Sequence, residues 1–485
     1  MVDAEAQQRA PGRERRGQGL LAILLVALPV AWTLGCKSKP APVTDAGAPE
    51  GGVALPAAPR CVEPSRGAAF LIGQPSPEVD AGEQALDLPF AIEVGRAAPH
   101  GEGFVVTALR SVAGQTRAVL ASVTADAAGG RLIELGRVHG DVDPPRLSAR
   151  DGRLVVGVVD HDATSTIVRL ASVSQLVAEP QITWGALPRI GNDESQAFDL
   201  GLGATRGVLV WDEFRKEDGH GTLWSLTFGL DDPGSVTPAR LVSVKGADTE
   251  APRLISRDGG YWLAYVAHAR GERRQGGKPS PDIDLESLVE LGERWVELMR
   301  LDESGVRVGE PLRVSRGGHA LVFDLAPGPD GSAWIAWRED ATSPGVERRA
   351  IWLASVDAAG QIQQRVIEDD RVGAGVPRLL PAASAGRAGW LALATVGDRT
   401  SFAALGADLS LGEPLLPDPL VGAGEILAAR GDRLLIASPR GLSAELGARD
   451  CKPAAAAAPL APSAEPGPPV EQREQEEPQL LPAAP

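Results

Sequence analysis

Carboxylates come in close pairs along the first half of this chain: Asp141 with Asp143, Asp160 with Asp162, Asp193 with Glu194, Asp212 with Glu213, and Asp248 with Glu250. Grouped carboxylates could hold Ca2+, which takes about six to eight oxygen ligands, or draw in a basic partner. Asp is also a turn former in its own right, and these pairs sit where turns are expected. Arg338, Glu339 and Asp340 end the alternating apolar stretch GSAWIAWRED at 331–340 and should emerge on the same loop face. The candidate binding set is therefore Asp160, Asp162, Asp193, Asp212, Glu213, Asp248, Arg338, Glu339 and Asp340, with Ca2+ the one cofactor it would suit.

No catalytic residue is nominated by pattern. The six histidines, His100, His139, His161, His220, His268 and His319, form no HExxH or HxH and match no zinc spacing. There is no G-x-S-x-G elbow and no GxxxxGK[ST] phosphate loop. The formal net charge of −16, with no basic stripe beyond RGERR at 270–274, excludes nucleic acid as the expected partner, because phosphate binding needs clustered Lys and Arg.

The elements that must position any site recur. FVVTALRS begins at Phe104, LVVGVVDHD at Leu154, VLVWDEF at Val208, WLAYVAHAR at Trp262, WIAWRED at Trp334, WLALATVGD at Trp390 and LLIASPR at Leu434. The intervals are 50, 54, 54, 72, 56 and 44 residues, and a period near 50 marks stacked or radial repeats. Segments such as PPRLSARDG, APRLISRDGG, VPRLLPAASAG and the related FDLGLGATRG and FDLAPGPDG precede the copies. Further β-favouring runs follow them, as in RAVLASVTADAAG and AIWLASVDAAGQ. Four short strands per unit joined by Gly and Asp turns make one antiparallel sheet, and seven such sheets around an axis make an all-β, seven-bladed propeller. The alternation in GSAWIAWRED puts Trp334, Ala336 and Arg338 on one face and Ile335, Trp337 and Glu339 on the other. The last unit lacks a fourth strand, and an orphan strand at 68–72 is expected to supply it.

The repeats loosely resemble bacterial propellers with aromatic second strands, sialidases among them. The Asp-box of that family is not met by GPDGSAW at 328–334, and Tyr261 and Tyr265, the chain's two tyrosines, share one strand.

Arg9, Arg13, Arg15 and Arg16 precede the apolar run LLAILLVALPVAWTL at 20–34, the layout of an export signal. The run ends in TLGC, which resembles a bacterial lipobox through Gly35 and Cys36. That resemblance implies a signal peptide at 1–35, acylation of Cys36, and anchorage to the bilayer of the bacterial cell envelope, with the outer membrane the expected one. Residues 36–60 read as a disordered tether, 61–451 as the propeller and 452–485 as a disordered Pro/Ala/Glu-rich tail. Cys61 and Cys451 remain as a candidate disulfide tying the ends of the fold together, in a compartment where disulfides persist. An insertion at 270–298 could carry a short amphipathic helix in IDLESLVELGERW. These readings suit a binding or scaffolding propeller with a protein or glycan partner, working through its loop face or central channel. A periplasmic or surface hydrolase and a structural envelope component are the alternatives.

Overall fold

The apolar second strands are hydrophobic on both faces because both faces are covered. A computed structural model shows this. It describes residues 60–452 apart from 63–68, 73–91, 113, 141, 162–165, 175, 177–180, 186–196, 216–219, 245–246, 269–292, 317–319, 344–345, 369–374, 385–386, 396–398, 412–415, 418–423 and 441–442. The expected signal peptide and tether (up to residue 59), the tail beyond Lys452 and most of the insertion lie outside the described residues.

Seven antiparallel sheets follow one another in the chain, each built in sequence order from the axis outwards. Their first strands are Ile92–His100, Arg146–Arg150, Phe198–Leu202, Asp248–Arg257, Ala320–Pro327, Arg378–Ser384 and Glu425–Arg430. Each first strand touches the first strands of the blades before and after it, and the seventh touches the first, so the ring is closed. All seven recurring apolar runs are second strands, from Gly103–Val112 in blade one to Arg433–Arg440 in blade seven.

The core is a circle of clusters at the blade interfaces. Within Ala333–Ser343 of blade five, Ile335 and Trp337 pack against blade four, while Trp334 and Ala336 pack against blade six. Alternating side chains thus face opposite neighbours, which is why the run never alternates with polar residues. Both tryptophans are buried, and Trp337 stacks on its cross-strand partner Trp352 at 6.0 Å. Trp262 and Trp390 carry the interfaces further: their indole N–H groups donate to the carbonyls of Gly331 (3.0 Å) and Gly431 (3.1 Å) in the first turn of the following blade.

Closure is made in blade seven. Its third strand, Ser443–Lys452, carries two N-terminal segments on its outer edge. Phe70–Ile72 pairs with Leu446 to Ala444, and Arg60–Val62 pairs with Lys452 to Asp450. The borrowed fourth strand is therefore split in two, with residues 63–69 intervening. Cys61 and Cys451 stand directly opposite in this register, Cα to Cα 4.1 Å, and form the disulfide. A cysteine so near the end of the last repeat is expected just after the third strand, where a hairpin loop stands in the other blades. The strand instead runs on through Cys451, which is buried on the face opposite Leu446 and Ala448: those two pack against blade one and Cys451 against blade six. Ile72 is buried against blade one, and the disulfide packs between blades six and seven.

Other boundaries move as well. Arg294–Leu301 is the third strand of blade four and not the end of an insertion helix, because Val296 and Leu298 fill the blade interface. The first strand of blade one is Ile92–His100, and the fourth strand of blade three is only Arg240–Leu241.

The disulfide spans 390 residues. In the chain-entropy model a loop of that length contributes roughly 6 kcal/mol. Replacing both Cys61 and Cys451 by Ser is expected to lower the urea midpoint substantially and to raise the m-value, because the unfolded chain loses its cross-link and expands. An unchanged midpoint in equilibrium unfolding followed by circular dichroism would refute the closure role.

Candidate functional site: a charged central channel

The first strands bend where they line the axis. In blade one a β-bulge lies between the pairs Val94–Ala108 and Ala97–Val106. Gly95 is needed there, since a Cβ would lie 2.6 Å from Thr107 Oγ1 and 2.8 Å from Pro144 Cβ. The buried Thr107 hydroxyl donates to the carbonyls of Pro145 (2.6 Å) and Arg96 (3.1 Å), fixing the bulge that sets Arg96 toward the axis. In blade four the bulge holds Ala251 at φ +54°, a left-handed conformation costly for a residue with a Cβ. Its N–H donates to Asp212 Oδ2 of blade three at 2.8 Å, which secures the strained turn just before Arg253.

One ionisable side chain per blade occupies the same place in this inner layer. Opposite Gly157, Val210, Ala264, Ala336, Ala392 and Ala437 of the second strands lie Arg146, Asp199, Arg253, Asp324, Arg378 and Glu425, and in blade one Arg96 sits in the bulge, its carbonyl held by the Thr107 hydroxyl. From blade two onwards the signs alternate: Arg146, Asp199, Arg253, Asp324, Arg378, Glu425, then Arg96. The carboxylates also bind backbone. Asp199 Oδ2 accepts the Leu254 N–H and Asp324 Oδ2 the Leu379 N–H, both at 2.9 Å, so each grips the residue after the next blade's arginine. Arg378 pairs with Glu425 of the adjacent blade. Arg96 reaches across the channel to Asp324 Oδ1 at 3.4 Å, from blade one to blade five.

That bridge divides the channel. On one side a cavity of about 390 Å3 is lined from blades one to five, including Arg96, Ser148, Arg150, Asp199, Ile255, Ser256 and Arg257. On the other a cavity of about 110 Å3 is lined from blades one, five, six and seven. Arg96 borders both. The larger cavity reaches the ends of the first strands, where they turn into the second, on the side opposite the paired-carboxylate loops.

Charge in this channel is not fully compensated. Burial and the neighbouring guanidinium groups of Arg146 and Arg96 push Arg253 down to about 9, against the pull of Asp199 and Asp324. Arg146 is lowered by burial and by Arg96. Arg378 goes the other way: burial lowers it, but Glu425 and Asp324 outweigh that and raise it.

The carboxylates and the arginine expected on the loop face do other work. Asp160 is buried, accepting the His139 N–H (2.8 Å) and ring Nδ1 (2.9 Å) and pairing with Arg169 at 3.1 Å. Asp212 is the buried clamp on Ala251, and Asp248 Oδ1 accepts the Gly221 N–H at 2.8 Å. Glu213 and Glu339 are half-buried within their strands. Arg338 is 8 % exposed and does not emerge on the loop face; the strand continues to Ser343, and Asp340 pairs within it opposite Arg349. Asp162 and Asp193 lie outside the described residues, as do Asp141 and Glu194. Among the described residues no three His, Cys, Asp or Glu side chains converge as a cation site. The two tyrosines are structural: Tyr261 donates to the Arg206 carbonyl (3.1 Å) and Tyr265 to Glu297 (2.7 Å), and burial pushes both phenols up.

The channel arginines were missed from sequence, although their signal was present. PPRL, APRL and VPRL at three blade starts place Arg146, Arg253 and Arg378, and the two FDL segments place Asp199 and Asp324.

No family model matches the chain, and no curated protein matches it. Among solved structures it is similar to the β-propeller domain of the Trilobed protease from Pyrococcus furiosus, at 9% identity, a TM-score of 0.42, and coverage of 75% of this chain and 96% of that one. It is similar also to the polysaccharide lyase Uly1, at 11% identity, TM-score 0.45, and coverage of 72% and 89%. A third is an α-L-arabinanase of Penicillium chrysogenum complexed with arabinobiose, at 12% identity, TM-score 0.36, and coverage of 62% and 98%. These likenesses do not indicate what this chain binds.

Two outcomes follow from the geometry. Asp324→Ala removes the partner of Arg96 and the acceptor of the Leu379 N–H together, so about 3–5 kcal/mol of stability should be lost; Asp324→Asn, which keeps an acceptor, should lose less, by urea denaturation. At Glu250, burial raises the carboxyl, but the hydrogen bond and charge of His268 and the charge of Arg294 prevail and hold it at about 2, below its ordinary 4.5. A depressed carboxyl contributes stability above its unfolded value and loses it as the pH falls toward the folded one. Between pH 4.5 and 2 the wild type should therefore lose stability that Glu250→Gln lacks at every pH, read as the difference in melting temperature between the two.

Proposed function

We propose that this chain is an exported propeller, lipid-anchored through Cys36 to the bacterial cell envelope, and that it binds a ligand in its central channel. The observation that carries this reading is the larger channel compartment. At about 390 Å3 it has the volume of a small-molecule site. Five blades contribute to it, and Arg96, Ser148, Arg150, Asp199, Ser256, Arg257 and Asp258 share its wall with apolar residues such as Leu147, Leu254, Ile255 and Leu325. A rigid ring closed by a disulfide suits a preorganised site, since little ordering remains to oppose binding.

The cellular address is supported by the sequence signal at 1–36 and by the disulfide, which persists in oxidising compartments. The partner is drawn from the envelope, either as a glycan or as a group displayed by a protein. Ca2+ on the paired-carboxylate face stays a lesser proposal, as the clamping roles of Asp160, Asp212 and Asp248 leave those groups already engaged.

Native mass spectrometry of the disulfide-bonded chain, mixed with low-molecular-mass envelope extract, tests the binding role. The wild type should hold an adduct that Ser148→Trp, which fills the compartment, does not. An adduct retained equally by both would place binding elsewhere. Cys36→Ala should release the protein from the membrane fraction, and continued membrane association would overturn the anchor.

A further inference from the structure

Alternating charges cannot be completed on a ring of seven. Starting from Arg146, each member of the inner ring meets an opposite sign on the next blade, until Arg96 of blade one returns to Arg146 of blade two. Four arginines stand against three carboxylates, and the surplus falls at that one junction. Neither guanidinium there is well matched. Arg96 turns across the channel to Asp324 at 3.4 Å. Arg146 has Asp143 at 3.3 Å, a carboxylate that is 59% exposed and so weakly held in water. Both arginines bear on Arg253, which hydrogen-bonds only to the carbonyl of Pro252 (3.1 Å) and forms no ion pair among the described residues. The larger compartment meets this junction on the Arg96 side, with Arg96, Leu147 and Ser148 in its wall and Arg146 behind it.

We propose that the channel ligand is a small organic oxyanion, a carboxylate or phosphate on a body of about monosaccharide size, whose anionic head sits against Arg96, with the charge of Arg146 behind the cavity wall adding to its field. This rests on the channel-binding reading and adds the ligand's charge to it. The guanidinium fork matches either head group bidentately. An anion there supplies the one missing negative charge and completes the alternation that the fold's odd blade number prevents. It draws Arg96 from Asp324, and the half-open partition between the two cavities shifts accordingly. The body of the ligand lies along Leu147, Leu254 and Ile255, with Ser148 and Ser256 near its hydroxyls.

Calorimetry on the full disulfide-bonded chain tests this with one matched series: D-glucuronate, glucose 6-phosphate, glucose and glucosamine, with inorganic phosphate and sulfate as bare head groups. The two anionic sugars should bind with saturable one-to-one isotherms, glucose about tenfold or more weaker, and glucosamine weakest. Which of the two anions binds tighter identifies carboxylate or phosphate as the head. Arg96→Gln and Arg146→Gln should each erase the preference over glucose. Arg146→Gln leaves the Arg96–Asp324 bridge in place and so keeps the test valid where Arg96→Gln fails to fold. In the wild type, sulfate should compete with glucuronate while chloride at equal ionic strength does not.

Absence of binding by every anion at about 10 mM would overturn the proposal, as would an anion preference that survives in both arginine variants. Binding of glucose as tight as glucuronate, abolished by Ser148→Trp, would defeat the anion inference and leave the channel reading standing. Arginine-dependent anion binding that persists in Ser148→Trp would do the reverse.

Discussion

Bringing seven strands together around one axis forces a choice about what lies in the middle. Apolar side chains would leave a wet channel lined with grease; isolated charges would be desolvated without relief. This ring takes a third course. Each inner strand presents an ion, signs alternate between neighbouring blades at all junctions but one, and two of the carboxylates also bind the neighbouring backbone. Opposite signs therefore do two things together: they offset most of the charge at the axis and they tie neighbouring blades to one another. The blade interfaces farther out are mainly apolar, with indole N–H bonds from Trp262 and Trp390 to the following blades added to them.

The supporting details serve the same end. Gly95 and Thr107 shape one bulge, while Asp212 stabilises another at Ala251. Both bulges aim arginines. Strain of this kind persists only where the surroundings over-determine it, and Asp212 is the group that does so in blade four. A carboxylate on the outer part of the ring thereby positions an arginine at its centre without touching whatever enters the channel.

Much of the architecture was legible in the chain. Seven runs such as WLAYVAHAR and WIAWRED, each bounded by turns, could be read as second strands because a strand covered on both faces has no polar period to hide it. The borrowed strand and the Cys61–Cys451 pair were also visible, as one unit is short at the end and one strand is spare at the start. The site was harder. Arg146 and Asp199 are 53 positions apart in sequence and become neighbours only when blades stand side by side, so their opposite signs carry no meaning along the chain. Arg96 sits in VGRA, which lacks the PRL signature of its counterparts, and Glu425 lies in an equally unmarked GEIL. Conversely Asp160 and Asp212 look like solvent-facing turn residues, because nothing local reveals that a backbone N–H from another segment will cover them.

The split closing strand decides how the molecule carries mechanical load. A pull on the chain from its N-terminal side arrives first at Cys61, passes through the S–S bond into Cys451, and enters the long strand Ser443–Lys452 at its far end, just past the Arg433–Asp450 pair that closes its ladder with the second strand. The strand Phe70–Ile72, whose three pairs would peel apart one at a time, is left out of the force path. Tension is borne by a covalent bond, and the seal between blades seven and one stays slack behind it.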